Sequence, residues 1–285
     1  MPPAALLLVL GAAVCHSLWN LLLKSEPRRL EVQSGALVVA VLLASPVLLL
    51  YPLGVISPYA WLLIVLSALF ETAYVFCLTG AYAAGDLSLV YPVARGTAPL
   101  VVAPLAVAIF GERLSLIGGL GIALVVGGIY GSHVGTAGHW SAAGSRRALG
   151  LAVLTGTMTA GYSLVNRMGV RAMPVPLYGV LVIGINAVLV LLARQLLGGE
   201  LALSIRRDAP WGRILVVAVL MMGAYLAVLM AMTLAPVSYV VAARETSIVV
   251  TVILGALVLS EPPSPPRLVG ALAIFAGLVA IALSR

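Results

Sequence analysis

Charge is scarce in this sequence. Of 285 residues only 9 % are Asp, Glu, Lys or Arg, where a soluble domain carries about 25 % because its surface meets water. That scarcity excludes a soluble globular protein. The 62 % hydrophobic content and mean hydropathy of +1.17 leave an integral membrane protein. The strict apolar/polar alternation of barrel strands is also missing, so the spanning elements are helices. There are two cysteines, Cys15 and Cys77, both inside apolar runs, so neither a disulfide framework nor a metal site is expected. No His-Glu-x-x-His, Gly-x-Ser-x-Gly, aspartate pair or P-loop occurs. Nothing therefore supplies a nucleophile with its base, and no catalytic residue, metal or cofactor is expected. The net charge is +7, but the basic residues sit singly between apolar runs rather than in a stripe. They read as the flanks of membrane helices, and nucleic acid is not expected as a partner.

What the sequence does have is a series of long apolar runs. They fall at about 3–23, 33–52, 59–83, 87–110, 114–131, 148–166, 177–197, 211–233, 237–259 and 267–284. A spanning helix takes roughly 20 residues, so ten crossings fit the length. Turn and charge signals such as Glu26-Pro27-Arg28-Arg29, Gly85-Asp86 and Gly111-Glu112-Arg113 separate them. The first run follows Met1-Pro2-Pro3, which lacks the basic residues of a signal peptide. Val14 stands where a lipoprotein cleavage box before Cys15 needs a small residue, so the run reads as a retained helix. Residues 132–147 are rich in Gly, Ser, Ala and His and read as a linker between a first unit at 1–131 and a second at 148–285.

The two units resemble each other. Arg95-Gly96-Thr97 matches Arg244-Glu245-Thr246 at an offset of 149 residues, and the same offset pairs Glu112 with Glu261 and Gly121 with Gly270. His16-Ser17-Leu18-Trp19-Asn20 matches Tyr162-Ser163-Leu164-Val165-Asn166 at an offset of 146. Each unit crosses five times, an odd number, so the second copy lies inverted in the bilayer. Inverted repeats around a midplane site are the architecture of secondary transporters.

With ten segments, a five-plus-five repeat, the Gly111-Glu112-Arg113 turn and the run His16, Trp19, Asn20, Lys24, the chain resembles the EamA family of the drug/metabolite transporter superfamily. The second repeat departs from the pattern, with Ser260-Glu261-Pro262 in place of Gly-Glu-Arg. The resemblance implies a carrier of amino acids, other metabolites or drugs, with cytoplasmic termini.

An ionisable side chain in hydrocarbon costs at least ~2.5 kcal/mol and needs a reason. Glu71, Arg95, Arg244 and Glu245 stand well inside the runs and sum to zero charge. Call the membrane face where the first run begins face A, and the opposite face B. At ~1.5 Å per residue, Arg95 lies about 12 Å from face B, Arg244 about 10 Å from face A, and Glu71 near the midplane. Asn20 and His16 share the level of Arg95, and Asn166 and Tyr162 that of Arg244. The expectation is two polar clusters, one per mouth, lining an alternating-access cavity. In it the arginines attract a carboxylate or other anion, while Trp19, Tyr74, Tyr91, Tyr162, Tyr225 and Tyr239 offer rings and hydroxyls. The alternative is that Arg95–Glu71 and Arg244–Glu245 are packing ion pairs, and that His16 is a hydrogen-bond partner. Glu71 is the candidate for proton coupling.

Pro92, Pro99 and Pro104 are expected to bend the fourth helix beside Arg95. Gly127, Gly131, Gly270 and Gly277 are expected to let the fifth and tenth helices approach closely, within one chain or between protomers. Monomer and homodimer both remain open. Ten Lys and Arg fall on face B against four on face A. The positive-inside rule therefore makes face B cytoplasmic, whereas the family topology makes face A so. The leading reading is a multi-pass protein of the cell membrane, a secondary exporter of a small polar or zwitterionic metabolite such as an amino acid. A flippase for a lipid-linked or phosphorylated head group is the second reading. A membrane scaffold or enzyme without transport is a third.

Overall fold

The structure, a computed structural model, describes residues 1–24, 26–51, 53–132, 142–196, 209–258 and 264–284. The described residues contain helices and no strands. In the first half these are α1 (Pro3–Lys24), α2 (Arg29–Ala44), the one-turn α3 (Val47–Leu50), α4 (Pro58–Ala84), α5 (Leu87–Phe110) and α6 (Leu116–Gly131). In the second half they are α7 (Ala142–Ala172), α8 (Val175–Leu196), α9 (Trp211–Leu234), α10 (Val237–Arg244), α11 (Ser247–Val258) and α12 (Pro265–Leu283). Among the described residues nine stretches are long and apolar enough to cross a membrane, with α2–α3 and α10–α11 each counting as one; α6 is a shorter apolar helix. Residues 133–141 of the expected linker lie outside the described ones, and α7 begins at Ala142, six residues before the apolar run at 148. Glu261 also lies outside them.

Helix boundaries follow local chemistry. Ser57 and Ser115 accept from the N–H groups of Ala60 and Gly118 at 3.2 Å, capping α4 and α6. Gly111, at φ 64°, closes α5 in the left-handed conformation that only glycine adopts freely. Large apolar side chains point outward all round, with Leu49 89 % and Leu116 81 % exposed. Such a surface is stable only against lipid tails.

The packing exchanges the halves. α4 lies against α7 as α1 lies against α9, and α5 meets α7 as α1 meets α10 and α11. α4 touches α8 as α2 touches α9, and α6 pairs with α12. That last pair shows the inversion directly. Gly121 sits on Gly277, and Gly128 on Gly270, so equivalent helices run antiparallel. A Cβ at any of the four would lie 2.5–2.8 Å from the partner glycine's carbonyl oxygen, which is why this seam is built of glycine. The register differs from the expected one, because Gly127 and Gly131 face open space while Gly121 and Gly128 make the contact. A helix turns about 100° per residue, so a one-residue shift moves the contact off the seam.

The prolines and the helix break fall in different crossings. α5 runs unbroken through its three prolines, whereas the ninth crossing, which has none of them, is interrupted between α10 and α11. At the break the N–H groups of Glu245, Thr246 and Ile248 each bond three residues back instead of four, and the Thr246 hydroxyl takes the Ala243 carbonyl at 2.6 Å. The backbone is thereby tightened at the break while Glu245 keeps right-handed helical dihedrals.

Apolar cores are distributed unevenly across the bilayer. From the midplane to face A a single core joins both halves, including Val9, Ile64, Val102, Leu164, Leu229 and Val240. A further core of α6 with α10–α12, including Ile122, Ile129, Ile248 and Ile274, runs along the seam from face to face; apart from it, two separate cores lie toward face B. One holds Leu23, Val32, Ile214 and Val217 of α1, α2 and α9; the other holds Ala81, Val90 and Ala148 of α4, α5 and α7.

Candidate functional site

A cavity of about 170 Å³ lies between the halves at mid-depth. Its polar lining is His16, Trp19, Tyr162, Asn166, Tyr225 and Arg244, and its walls are otherwise apolar, including Met221, Met222 and Met232. The position follows from the interleaved packing, since α1, α7, α9 and α10 each bring a polar residue to the same level.

The buried charges pair differently from the expectation. Arg95 Nη1 donates to both carboxylate oxygens of Glu245 at 3.3 and 3.4 Å, joining α5 to the α10–α11 break across the halves. Arg95 Nη2 lies 3.0 Å from His16 Nε2. A guanidinium can only donate, so that ring nitrogen is the acceptor. Tyr91 lies under the Arg95 guanidinium, 5.7 Å from ring centre to Cζ. Neither Arg95–Glu71 nor Arg244–Glu245 forms an ion pair. Residues 244 and 245 leave their helix in different directions, and Arg244 instead reaches the Tyr162 hydroxyl at 3.4 Å. No described carboxylate lies within ion-pair distance of Arg244.

Glu71 belongs to a second network. The Tyr225 hydroxyl donates to its Oε1 at 2.9 Å, and Asn166 Nδ2 reaches the same hydroxyl at 3.4 Å. The Oδ1 of Asn166 accepts from Ser67 at 2.6 Å and from Tyr178 at 2.8 Å. Glu71 is buried behind Tyr225 and Asn166, which face the cavity. The two expected clusters, one per mouth, are therefore a single mid-depth belt. Their levels differ by only a few helical turns, and side chains as long as arginine close that gap.

The repeat survives in this chemistry. His16 meets Arg95 as Tyr162 meets Arg244, and both members of each contact are related by the sequence repeat. The symmetry fails at one position, where Glu245 corresponds to Gly96. A side chain at 96 would run into the Tyr130 ring, 2.7 Å from its Cβ.

Other candidates stand apart from the cavity. Asn20 donates back to the His16 carbonyl at 2.7 Å within α1. Tyr74 packs edge-on against Tyr162, with ring centres 6.2 Å apart. Tyr239 is buried over Gly118, and its hydroxyl accepts the Ser115 N–H at 3.2 Å, which makes it a strut between α10 and α6. Trp19 does line the cavity and meets His16 edge-to-face at 5.0 Å. Sequence reasoning missed Ser67, Tyr178 and the methionine walls, because small hydroxyls and apolar residues carry no signal in an apolar run. It also missed what Glu112 does. Its carboxylate accepts from Val237 N at 2.6 Å, Ser238 N at 3.2 Å and Ser238 Oγ at 2.6 Å, capping α10 in place of a residue of its own helix.

Residues 3–133 and 146–283 each match the model of the EamA-like transporter family. One solved structure, titled "Crystal structure of protein", is similar over 99 % of this chain and 98 % of its own, with a TM-score of 0.78 at 17 % identity. At that identity the likeness concerns the fold alone. No curated protein matches the sequence.

Proposed function

Because the chain belongs to the EamA-like transporter family, we propose that it is a secondary carrier that moves a small polar metabolite bearing a carboxylate, amino acids included, by alternating access. The observation that carries this reading is the uneven core: one apolar core seals the halves toward face A, and two separate cores flank the cavity toward face B. In an inverted repeat, each half can adopt the other's packing, and the seal then passes to face B. The moving units are the two bundles that hold the face B cores, α1, α2 and α9 on one side and α4, α5 and α7 on the other, each built from both halves. The antiparallel α6–α12 glycine seam supports a fixed axis between them.

Within the cavity Arg244 is the anchor for the solute's carboxylate, backed by Tyr162, with Trp19 and the methionines as an adaptable apolar wall. Asn166, Tyr225 and His16 complete the polar face. The Arg95–Glu245 pair ties the halves at the helix break. A cavity of this kind also speaks against a scaffold without transport. Export is the direction proposed from the family resemblance, across a cell membrane.

The test begins with cells overexpressing the protein, screened for resistance to toxic metabolite analogues. Solutes so identified are then assayed for counterflow in proteoliposomes. Accelerated exchange of labelled solute is expected. If no screened solute exchanges faster than in empty liposomes, the carrier reading fails.

A further inference from the structure

The buried charges do not leave the cavity free to accept any solute. Arg95 is neutralised by Glu245, the residue that breaks the repeat's symmetry. Its counterpart Arg244 has no carboxylate within ion-pair distance among the described residues; position 96, equivalent to Glu245, is glycine, and a Cβ there would press on the Tyr130 ring. Arg244 feels Glu245 as well as Arg95, so Glu245 alone cannot balance both arginines, and the buried charges reach neutrality only with Glu71, which lies beyond Tyr225 and Asn166. Four elements face Glu71 with polar or charged groups: Asn166 from α7, Tyr178 from α8, Tyr225 from α9 and Arg244 from α10. Arg95, on α5, is turned to Glu245.

An unbalanced charge in a low-dielectric interior is expensive, so stable occupancies of the site are the neutral ones. With the cavity empty, Arg95, Arg244, Glu245 and an ionised Glu71 sum to zero charge. When a solute carboxylate docks on Arg244, neutrality returns only if Glu71 takes up a proton or if the solute brings its own cation. The geometry separates these two routes. The Tyr225 hydroxyl already occupies Glu71 Oε1 at 2.9 Å and stands between it and the cavity. An ammonium in the cavity therefore cannot touch the carboxylate, whereas a proton can reach it. Among the described residues no carboxylate lines the cavity to receive an ammonium, and the three methionines favour an apolar body.

We propose that the site binds an organic monoanion, a carboxylate on an apolar body, together with one proton on Glu71, so that anion and proton cross the membrane in the same direction. This rests on the carrier reading and narrows its solute class. An outward solute gradient then carries protons out with it. The balance is simple: R–COO⁻ docks on Arg244, a proton from the open side adds to a Glu71 carboxylate oxygen, and both leave at the other face.

The experiment is calorimetric titration of the purified full chain in buffers of different ionisation enthalpy. The probes are 3-phenylpropanoate and 4-methylpentanoate as monoanions, their amides as neutral isosteres, and phenylalanine and leucine as zwitterions. The monoanions are expected to bind with uptake of about one proton each, and their affinity to fall up to tenfold per pH unit once Glu71 ionises. In Glu71→Gln they are expected to bind without proton uptake and without that pH dependence. Comparison of the three probe classes on the unmodified protein does not depend on the variant folding. Binding of the zwitterions in preference to the monoanions, or monoanion binding with no proton uptake, overturns the proposal. Counterflow of a solute in either of those cases leaves the carrier reading standing. If none of the three classes binds and no solute exchanges, both fail.

Discussion

Arg244 illustrates how a single side chain acquires its role from its neighbours. It and Arg95 are equivalent in sequence and both buried, yet only Arg95 meets a carboxylate. Arg244→Gln is expected to lower affinity for a carboxylate solute by at least tenfold, since a charge-assisted hydrogen bond contributes ~1.5–3 kcal/mol. Arg244→Lys should recover part of the loss, because it keeps the charge and sacrifices the fork. Unchanged affinity in well-folded Arg244→Gln would remove the anchor. At this scale the sequence revealed which residues matter but not whom they touch. Isolated charges in apolar runs are conspicuous, so Glu71, Arg95, Arg244 and Glu245 could all be named as candidates. Their pairing depends on the direction in which each side chain leaves its helix and on which helix lies opposite, and neither is a local property.

At the scale of elements, the sharpest case is the ninth crossing. Prolines draw attention to the fourth helix, which is continuous through them, while the break falls in the ninth. Its N-terminal piece, α10, is held by Glu112 from the loop between α5 and α6 through three hydrogen bonds. Glu112→Ala should therefore destabilise the protein by ~1–2 kcal/mol, within the range of a lost helix cap. The readout is a lower unfolding midpoint in detergent, with Glu112→Gln milder. No shift in either variant would mean that the cap contributes nothing. The α6–α12 seam gives a second prediction. Gly128→Leu places a side chain where Gly270 and Ile274 already sit and should abolish the folded monodisperse peak in size-exclusion chromatography. Gly127→Leu, one residue away and facing open space, should leave that peak intact. Similar behaviour of the two variants would refute the seam register. That these helices would pack through glycine was legible in composition. Which glycines meet was not, because a one-residue slip rotates the helix face.

For the molecule as a whole, the asymmetry of the cores defines a state with face A sealed. Cysteines introduced in a background lacking Cys15 and Cys77 can read it out. Leu37→Cys, on the cavity wall, should react with a small polar thiol reagent. Leu229→Cys, fully buried in the face A core, should resist it. Saturating solute should slow the first reaction. Equal reactivity at both positions would contradict a sealed face A.

The amino-acid sequence by itself determined the class of protein, the ten apolar crossings and the duplication, because hydropathy and an odd count of crossings are properties of the chain read in order. It also determined that a few ionisable groups must lie in the interior, since their cost in hydrocarbon demands one. Tertiary structure alone decided that Arg95 and not Arg244 is neutralised, that Glu71 stands behind Tyr225, and that a single belt replaces two clusters. These are distances between residues more than 80 positions apart in most cases, and such distances are set by how the inverted halves interleave rather than by any local preference of the chain.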